Sequence, residues 1–132
     1  MKISNSLNHA MRVSSSGLAA ERFRMDVISQ NIANANSTKV NGKDPYRRQD
    51  VVLQGGSDGV RIASLVKDQT PFREVNDPSH PNAVNGKVTY SNVDPLVEMV
   101  NMIGASRSYE ANVAAFNSTN SMIRSALQIG KI

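Results

Sequence analysis

Two stretches of the chain carry apolar side chains at heptad spacing, and the stretch between them does not. From about residue 3 to about residue 35, alternating steps of four and three pick out Leu7, Met11, Ser14, Leu18, Glu21, Met25, Ile28, Ile32 and Ala35. Seven of these nine are apolar, which is the period of a coiled-coil seam and predicts a long helix. Arg12, Arg22, Arg24 and Asp26 fall on the faces between. Gly17 weakens the middle of this helix without breaking it. The polar run Asn34-Ala35-Asn36-Ser37-Thr38 marks its end.

A second helix is predicted from Asp94-Pro95, because Asp is a good N-cap and Pro fits the first helical position. Steps of three and four then give Met99, Met102, Ser106, Tyr109, Val113, Phe116, Asn120, Ile123 and Leu127, again seven apolar in nine. Leu96, Val100 and Ile103 widen the apolar face near the start, and Gly130 closes the helix. At the standard rise each helix spans about 45 Å, which is long for a chain this short. Packed antiparallel, the two make a thin hairpin with one buried seam. Ser14, Ser106 and Asn120 set its register at some cost in stability.

Between them, Pro45, Pro71, Pro78 and Pro81 forbid a long helix. Val51-Val52-Leu53 and residues 60–66 read as short strands joined through Gly55-Gly56-Ser57-Asp58-Gly59, and residues 87–90 as a third strand. Residues 76–86 read as loop. The fold class expected is therefore mainly α with a small β region. Residues 1–35 and 94–132 form the paired helices, and residues 36–93 form an extended stretch with a β-hairpin.

Composition narrows the function classes. The 132 residues hold no cysteine, so disulfides, thiolate zinc sites and cysteine nucleophiles are excluded. Only 5% are aromatic and none is Trp, which is poor material for a compact core. The net charge of +4 is dispersed, with no basic run longer than Arg47-Arg48, so no nucleic-acid patch stands out. No apolar run is long enough to span a membrane, and the first residues lack the apolar core of a cleavable signal. Asp77, Ser79 and His80 have triad chemistry, but such close neighbours do not converge as triads do, and a proline-stiffened loop explains them better. Glu98 and Glu110 read as a solvated helix face, and Tyr46-Arg47-Arg48 as a strand start with exposed charges. No catalytic, cofactor-binding or metal-binding set can be named, so no enzyme and no cofactor are expected.

Ser29-Gln30-Asn31-Ile32-Ala33-Asn34-Ala35-Asn36-Ser37-Thr38 resembles the N-terminal signature of the flagellar axial proteins of rod and hook. Asn92-Val93-Asp94-Pro95-Leu96-Val97-Glu98-Met99, and Tyr109-Glu110-Ala111-Asn112-Val113 further on, are similar to the C-terminal segment of proximal rod members of that family. Pro45-Tyr46-Arg47-Arg48 and Asp77-Pro78-Ser79-His80-Pro81 add to the likeness, which covers nearly the whole chain. The family motif falls on Asn31, Ala33, Asn34, Asn36, Thr38, Tyr109, Glu110 and Asn112. The resemblance implies a structural subunit whose paired terminal helices stack around a central channel. It implies copies of itself, other rod subunits and export components as partners, with no nucleic acid. It also implies export to a periplasmic rod without a cleavable signal. The helices are expected to be marginal alone and to gain order with assembly. Seam and assembly contacts are expected from Leu7, Met11, Leu18, Met25, Ile28 and Ile32, and from Met99, Met102, Tyr109, Val113, Phe116, Ile123 and Leu127. The rival reading, a cytoplasmic coiled-coil adaptor or export chaperone, shares the helices but has no use for the proline-rich, strand-bearing middle.

Overall fold

A computed structural model describes residues 2–130 of the chain. Helix α1 covers Lys2–Ala33 and α2 covers Pro95–Ile129. Four strands lie between them: β1 (Gln49–Gly56), β2 (Gly59–Lys67), β3 (Arg73–Asn76) and β4 (Lys87–Tyr90). At its start α2 is capped as the Asp-Pro signal requires: Asp94 is extended, and its carboxylate accepts from the Leu96 amide at 3.0 Å.

The helices run antiparallel. Asn31 near the end of α1 bonds Glu98 near the start of α2, while Gly17, two heptads earlier, lies against Asn112, two heptads later. A Cβ on Gly17 would stand 2.8 Å from the Asn112 amide, so glycine is what lets the backbones approach here. The face of α2 turned to α1 is Glu98, Met102, Ala105, Tyr109, Asn112, Phe116, Thr119 and Ile123, every one buried or half-buried. At alternate positions this line lies one residue from the expected one. Glu98, Ala105, Asn112 and Thr119 replace Met99, Ser106, Val113 and Asn120. Asn112 lies in the narrow gap at Gly17, and Glu98 finds hydrogen-bond partners two heptads away in Asn31 and Arg48. Met99 is turned aside, while Ser106, Val113 and Asn120 stay half-buried beside the line.

The core is correspondingly sparse and built of small residues. Ala20, Val27 and Ile28 on α1 and Ala105 on α2 are buried, and so are Ala35, Val88 and Val93 outside the helices.

The middle stretch folds into two separate two-stranded antiparallel ribbons. The β1–β2 ribbon turns at Ser57-Asp58, with Gly56 opposite Gly59 and an irregularity between Val52 and Leu53. Its tip is pinned to α1, where the Ser16 hydroxyl accepts from the Val60 amide at 3.0 Å and donates to the Val13 carbonyl at 2.7 Å. Gly59 has φ +116° and sits against Ser16, so a side chain would be strained and crowded at once.

Strand β3 lies outside any strand expected from the sequence. It pairs with β4 in the register Arg73↔Tyr90 to Asn76↔Lys87. On the other side of β4, Thr38 bridges Tyr90, the Lys39 amide donates to Thr89 and the Ser91 amide to Ser37. A tetrapeptide also recurs here. Val40-Asn41-Gly42-Lys43 and Val84-Asn85-Gly86-Lys87 are both tight turns with φ near +50° at Asn and near +80° at Gly. Each is closed by reciprocal Val–Lys backbone bonds of 2.8–3.1 Å. Asn-Gly is the pair such turns favour.

Candidate assembly surfaces and the polar clasp that orients them

A buried polar cluster ties the middle stretch to both helices. Asn31, 1% exposed, uses its whole amide. Its nitrogen donates to the Gln49 carbonyl (2.8 Å) and to Glu98 Oε2 (2.9 Å). Its oxygen accepts from the Gln49 amide (3.0 Å) and the Tyr46 hydroxyl (2.8 Å). Glu98 is fully buried, and its other oxygen takes Arg48 Nε at 2.7 Å. A carboxylate in such a place is tolerable only when paired and hydrogen-bonded in this way. Arg48 also reaches Asp68 at 3.4 Å and Asp50 at 3.6 Å. Asn92 completes the clasp, accepting from the Arg48 amide at 2.7 Å and donating to the Asp68 and Thr70 carbonyls.

The charges follow this geometry. Burial opposes the charged Arg48 guanidinium, but the Glu98 hydrogen bond and the charges of Glu98, Asp50 and Asp68 outweigh it and raise its pKa. Burial, with Glu98 nearby, also pushes the Tyr46 phenol up. Asp68 is held low by the Thr70 hydroxyl and amide, and then by Arg48. The cluster is therefore a hydrogen-bonded lock in which each of these side chains is already engaged with a partner. The Asp77-Ser79-His80 loop is no relay either. Ser79 donates to Asp77 at 2.6 Å, while His80 Nδ1 accepts from the Asn82 amide.

Two readings from the sequence are corrected here. Glu98 is not on a solvated face, and Arg48 is not an exposed strand charge. Helical spacing cannot show that a chain segment fifty residues away will cover Glu98. Glu110 is exposed, as a solvated position would be.

The outer surface of α2 is the opposite in character. Leu96 (71% exposed), Val97, Met99, Val100 and Ile103 form a continuous apolar patch. At the far end Met122 and Ile129 border a shallow groove with Ser118, Ser121 and Ser125. On the hairpin, Val52, Ile62, Leu65 and Val66 are also substantially exposed. Patches of this kind mark contact surfaces.

Of the residues expected on the seam, Ile28 is buried, and Leu7, Met11, Leu18, Met25, Ile32, Met102, Tyr109, Val113, Phe116 and Ile123 are half-buried. Met99 and Leu127 lie off it, 52% and 63% exposed. Of the motif residues, Asn31 centres the clasp. Asn34 donates to the Gln30 carbonyl at 2.8 Å, and Thr38 accepts from Asn82 at 3.0 Å. Asn112 donates to the Ser108 carbonyl at 3.0 Å, while Ala33, Asn36 and Glu110 are exposed. The sequence reading missed Arg48, Asp68 and Asn92 as a group. The only early signal was the clustering of Tyr46, Arg48 and Asn92 within the segments that carried the family likeness.

Residues 11–39 match the family model described as "Flagella basal body rod protein", and residues 84–129 match "Flagellar basal body rod FlgEFG protein C-terminal". The chain is 42% identical to flagellar basal-body rod protein FlgC of Bacillus subtilis, over 93% of this chain and 97% of that protein. It is 40% identical to FlgC of Borreliella burgdorferi, over 91% and 95%, and 39% identical to FlgC of Salmonella typhimurium, over 90% and 94%. The Bacillus match runs over 146 aligned positions, more than the 132 residues of this chain, so that relative carries internal residues which this chain lacks. The matched segments hold Asn31 and Glu98, from the two helices that the clasp joins, and with identity at this level over nine-tenths of the chain, it belongs to the family of flagellar basal-body rod protein FlgC.

Proposed function

We propose that this chain is a structural subunit of the proximal rod of the bacterial flagellum. It polymerises helically with copies of itself and with other rod subunits. The product is a hollow shaft through which distal components pass. The paired helices (residues 1–35 and 94–132) form the inner, stacking domain. Residues 36–93 form the outer stretch. The expected seam and motif residues divide between holding the subunit together and meeting its neighbours.

The observation that carries this reading is the exposed apolar run Leu96, Val97, Met99, Val100 and Ile103 on a helix whose opposite face is already covered. Folding leaves that run in water, and burial is worth about 25 cal/mol per Å². A subunit that repeats one such contact without closing builds a filament. The partners are rod subunits and the export end of the basal body, and the site of action is the periplasmic rod. No helix among the described residues is long and apolar enough to cross a membrane. The clasp and the outer face offer packing and contact, which suits a structural part.

The test is genetic and structural. Deleting the gene should abolish hook formation and motility. Density for this chain should appear in cryo-EM maps of isolated basal bodies, on the cell-proximal side of the rod. Motile cells with complete hooks, or basal bodies lacking the chain, would overturn the reading.

A further inference from the structure

Val40-Asn41-Gly42-Lys43 and Val84-Asn85-Gly86-Lys87 place the same four residues in the same kind of turn. Their intrinsic chemistry is therefore matched, and any difference between them comes from what surrounds each. In an Asn-Gly pair the backbone can attack the side-chain amide, because glycine offers an unhindered nitrogen on a freely rotating chain. The attack needs that nitrogen beside Asn Cγ and nearly eclipsed with Cβ. Reaching that position takes a rotation about the Asn Cα–C bond that a closed Asn-Gly turn does not allow. Each turn must open before it can react.

The two turns are held differently. Gly86 is half-buried, and its carbonyl accepts from the Asp77 amide at 3.0 Å. A Cβ added there would stand 3.7 Å from both Asn76 Oδ1 and Pro78 Cγ. Lys87 already belongs to β4, opposite Asn76, with its ammonium 3.5 Å from Glu74. Gly42 is exposed, and an added Cβ would meet nothing within 4 Å. Its turn is closed by the Val40–Lys43 backbone bonds. The Lys39–Asp44 pair across it, at 3.3 Å, is exposed and adds little. The turn with fewer anchors and less packing opens at lower free energy.

We infer that Asn41 is a site of spontaneous covalent modification, converting to isoaspartate and aspartate while Asn85 is protected. The Gly42 nitrogen gives up its proton and bonds to Asn41 Cγ. The bond from Cγ to the side-chain nitrogen breaks, and that nitrogen leaves with the proton as ammonia. Water then opens the succinimide ring at either carbonyl, giving an aspartyl or an isoaspartyl link. Water is all that the sequence consumes. An isoaspartyl link lengthens the backbone within a tight turn, so the reciprocal Val40–Lys43 bonds are lost. This goes beyond the rod reading, and it rests on residues of the middle stretch alone.

The full chain, held at mildly alkaline pH for days, can be mapped by peptide mass spectrometry. Labelling with an isoaspartyl methyltransferase counts the rearranged product. In urea the two sites should convert at equal rates. In buffer Asn41 should lead Asn85 by about tenfold, the gap between a free turn and an anchored one. Pro78→Gly loosens the segment over Gly86, and should raise the Asn85 rate toward that of Asn41. Asn41→Gln closes its ring far more slowly and should remove the fast component. Equal rates in buffer, a faster Asn85, no conversion at Asn41, or an Asn85 rate unmoved in Pro78→Gly would overturn the inference. So would unequal rates in urea, because sequence and not the fold would then set the difference. Each leaves the rod reading standing, since that is decided by the chain's place in the basal body.

Discussion

At Glu98 a single carboxylate decides how three parts of the chain meet. It takes hydrogen bonds from Asn31 of α1 and from Arg48, just ahead of β1, while belonging to α2. Removing one member of a buried pair costs more than removing both, because the survivor keeps its desolvation penalty. Arg48→Ala should therefore destabilise the chain by about 3–5 kcal/mol in urea titrations. Arg48→Met with Glu98→Leu should recover most of that loss. A single substitution no worse than the double would show that the pair is not the lock described. Asp68 adds a pH dependence. Its carboxyl is lowered in the fold, chiefly by the Thr70 hydroxyl and amide. Its contribution is therefore complete above its unfolded value of about 4 and is lost as pH falls through the lower folded value. In Asp68→Asn, the fall in melting temperature on acidification should be shallower than in the parent.

Among the elements, both helices were legible from periodicity, as were the first ribbon and the strand at residues 87–90. Heptad spacing reports how a helix presents its faces, and Asp94-Pro95 is a local signal with a local cause. Two things were not legible. The exact facing line of α2 depends on the closeness allowed by Gly17, a property of the pair and not of either helix. Strand β3 is four residues long and wholly exposed, so no alternation of buried positions marks it. The two Val-Asn-Gly-Lys turns did carry a signal, since Asn-Gly favours positive φ at both central residues. Gly17→Leu should cost about 1–3 kcal/mol by overfilling the space against Asn112. The same exchange at Gly104, exposed within α2 and with nothing within 4 Å of an added Cβ, should be neutral or stabilising by up to about 1 kcal/mol, since it removes a mid-helix glycine. Equal losses at the two glycines, read from thermal melts, would remove the case for close approach at Gly17.

For the molecule as a whole, the fold and the outer face make separable demands on α2. Val100 and Ile103 are 62% and 55% exposed, on the face turned away from α1, so polar replacements there leave no cavity and bury no charge. Such surface changes lie within about 0.5 kcal/mol. Ile28, 5% exposed, stands in the sparse core instead, and a carboxylate there has no partner. The double variant Val100→Asp, Ile103→Asp should therefore melt close to the parent yet fail to support hook formation and motility when it replaces the chromosomal copy. Ile28→Asp should lose both stability and motility. This asymmetry follows from a core too small to absorb the apolar side chains of two helices each more than thirty residues long, so that much of the apolar surface of α2 is left exposed in the subunit and, on the proposed rod reading, is covered by neighbours. Full motility from the Val100→Asp, Ile103→Asp strain would mean that the outer face is never buried in the working assembly. The paired helices would then have to meet their neighbours through the hairpin or through α1.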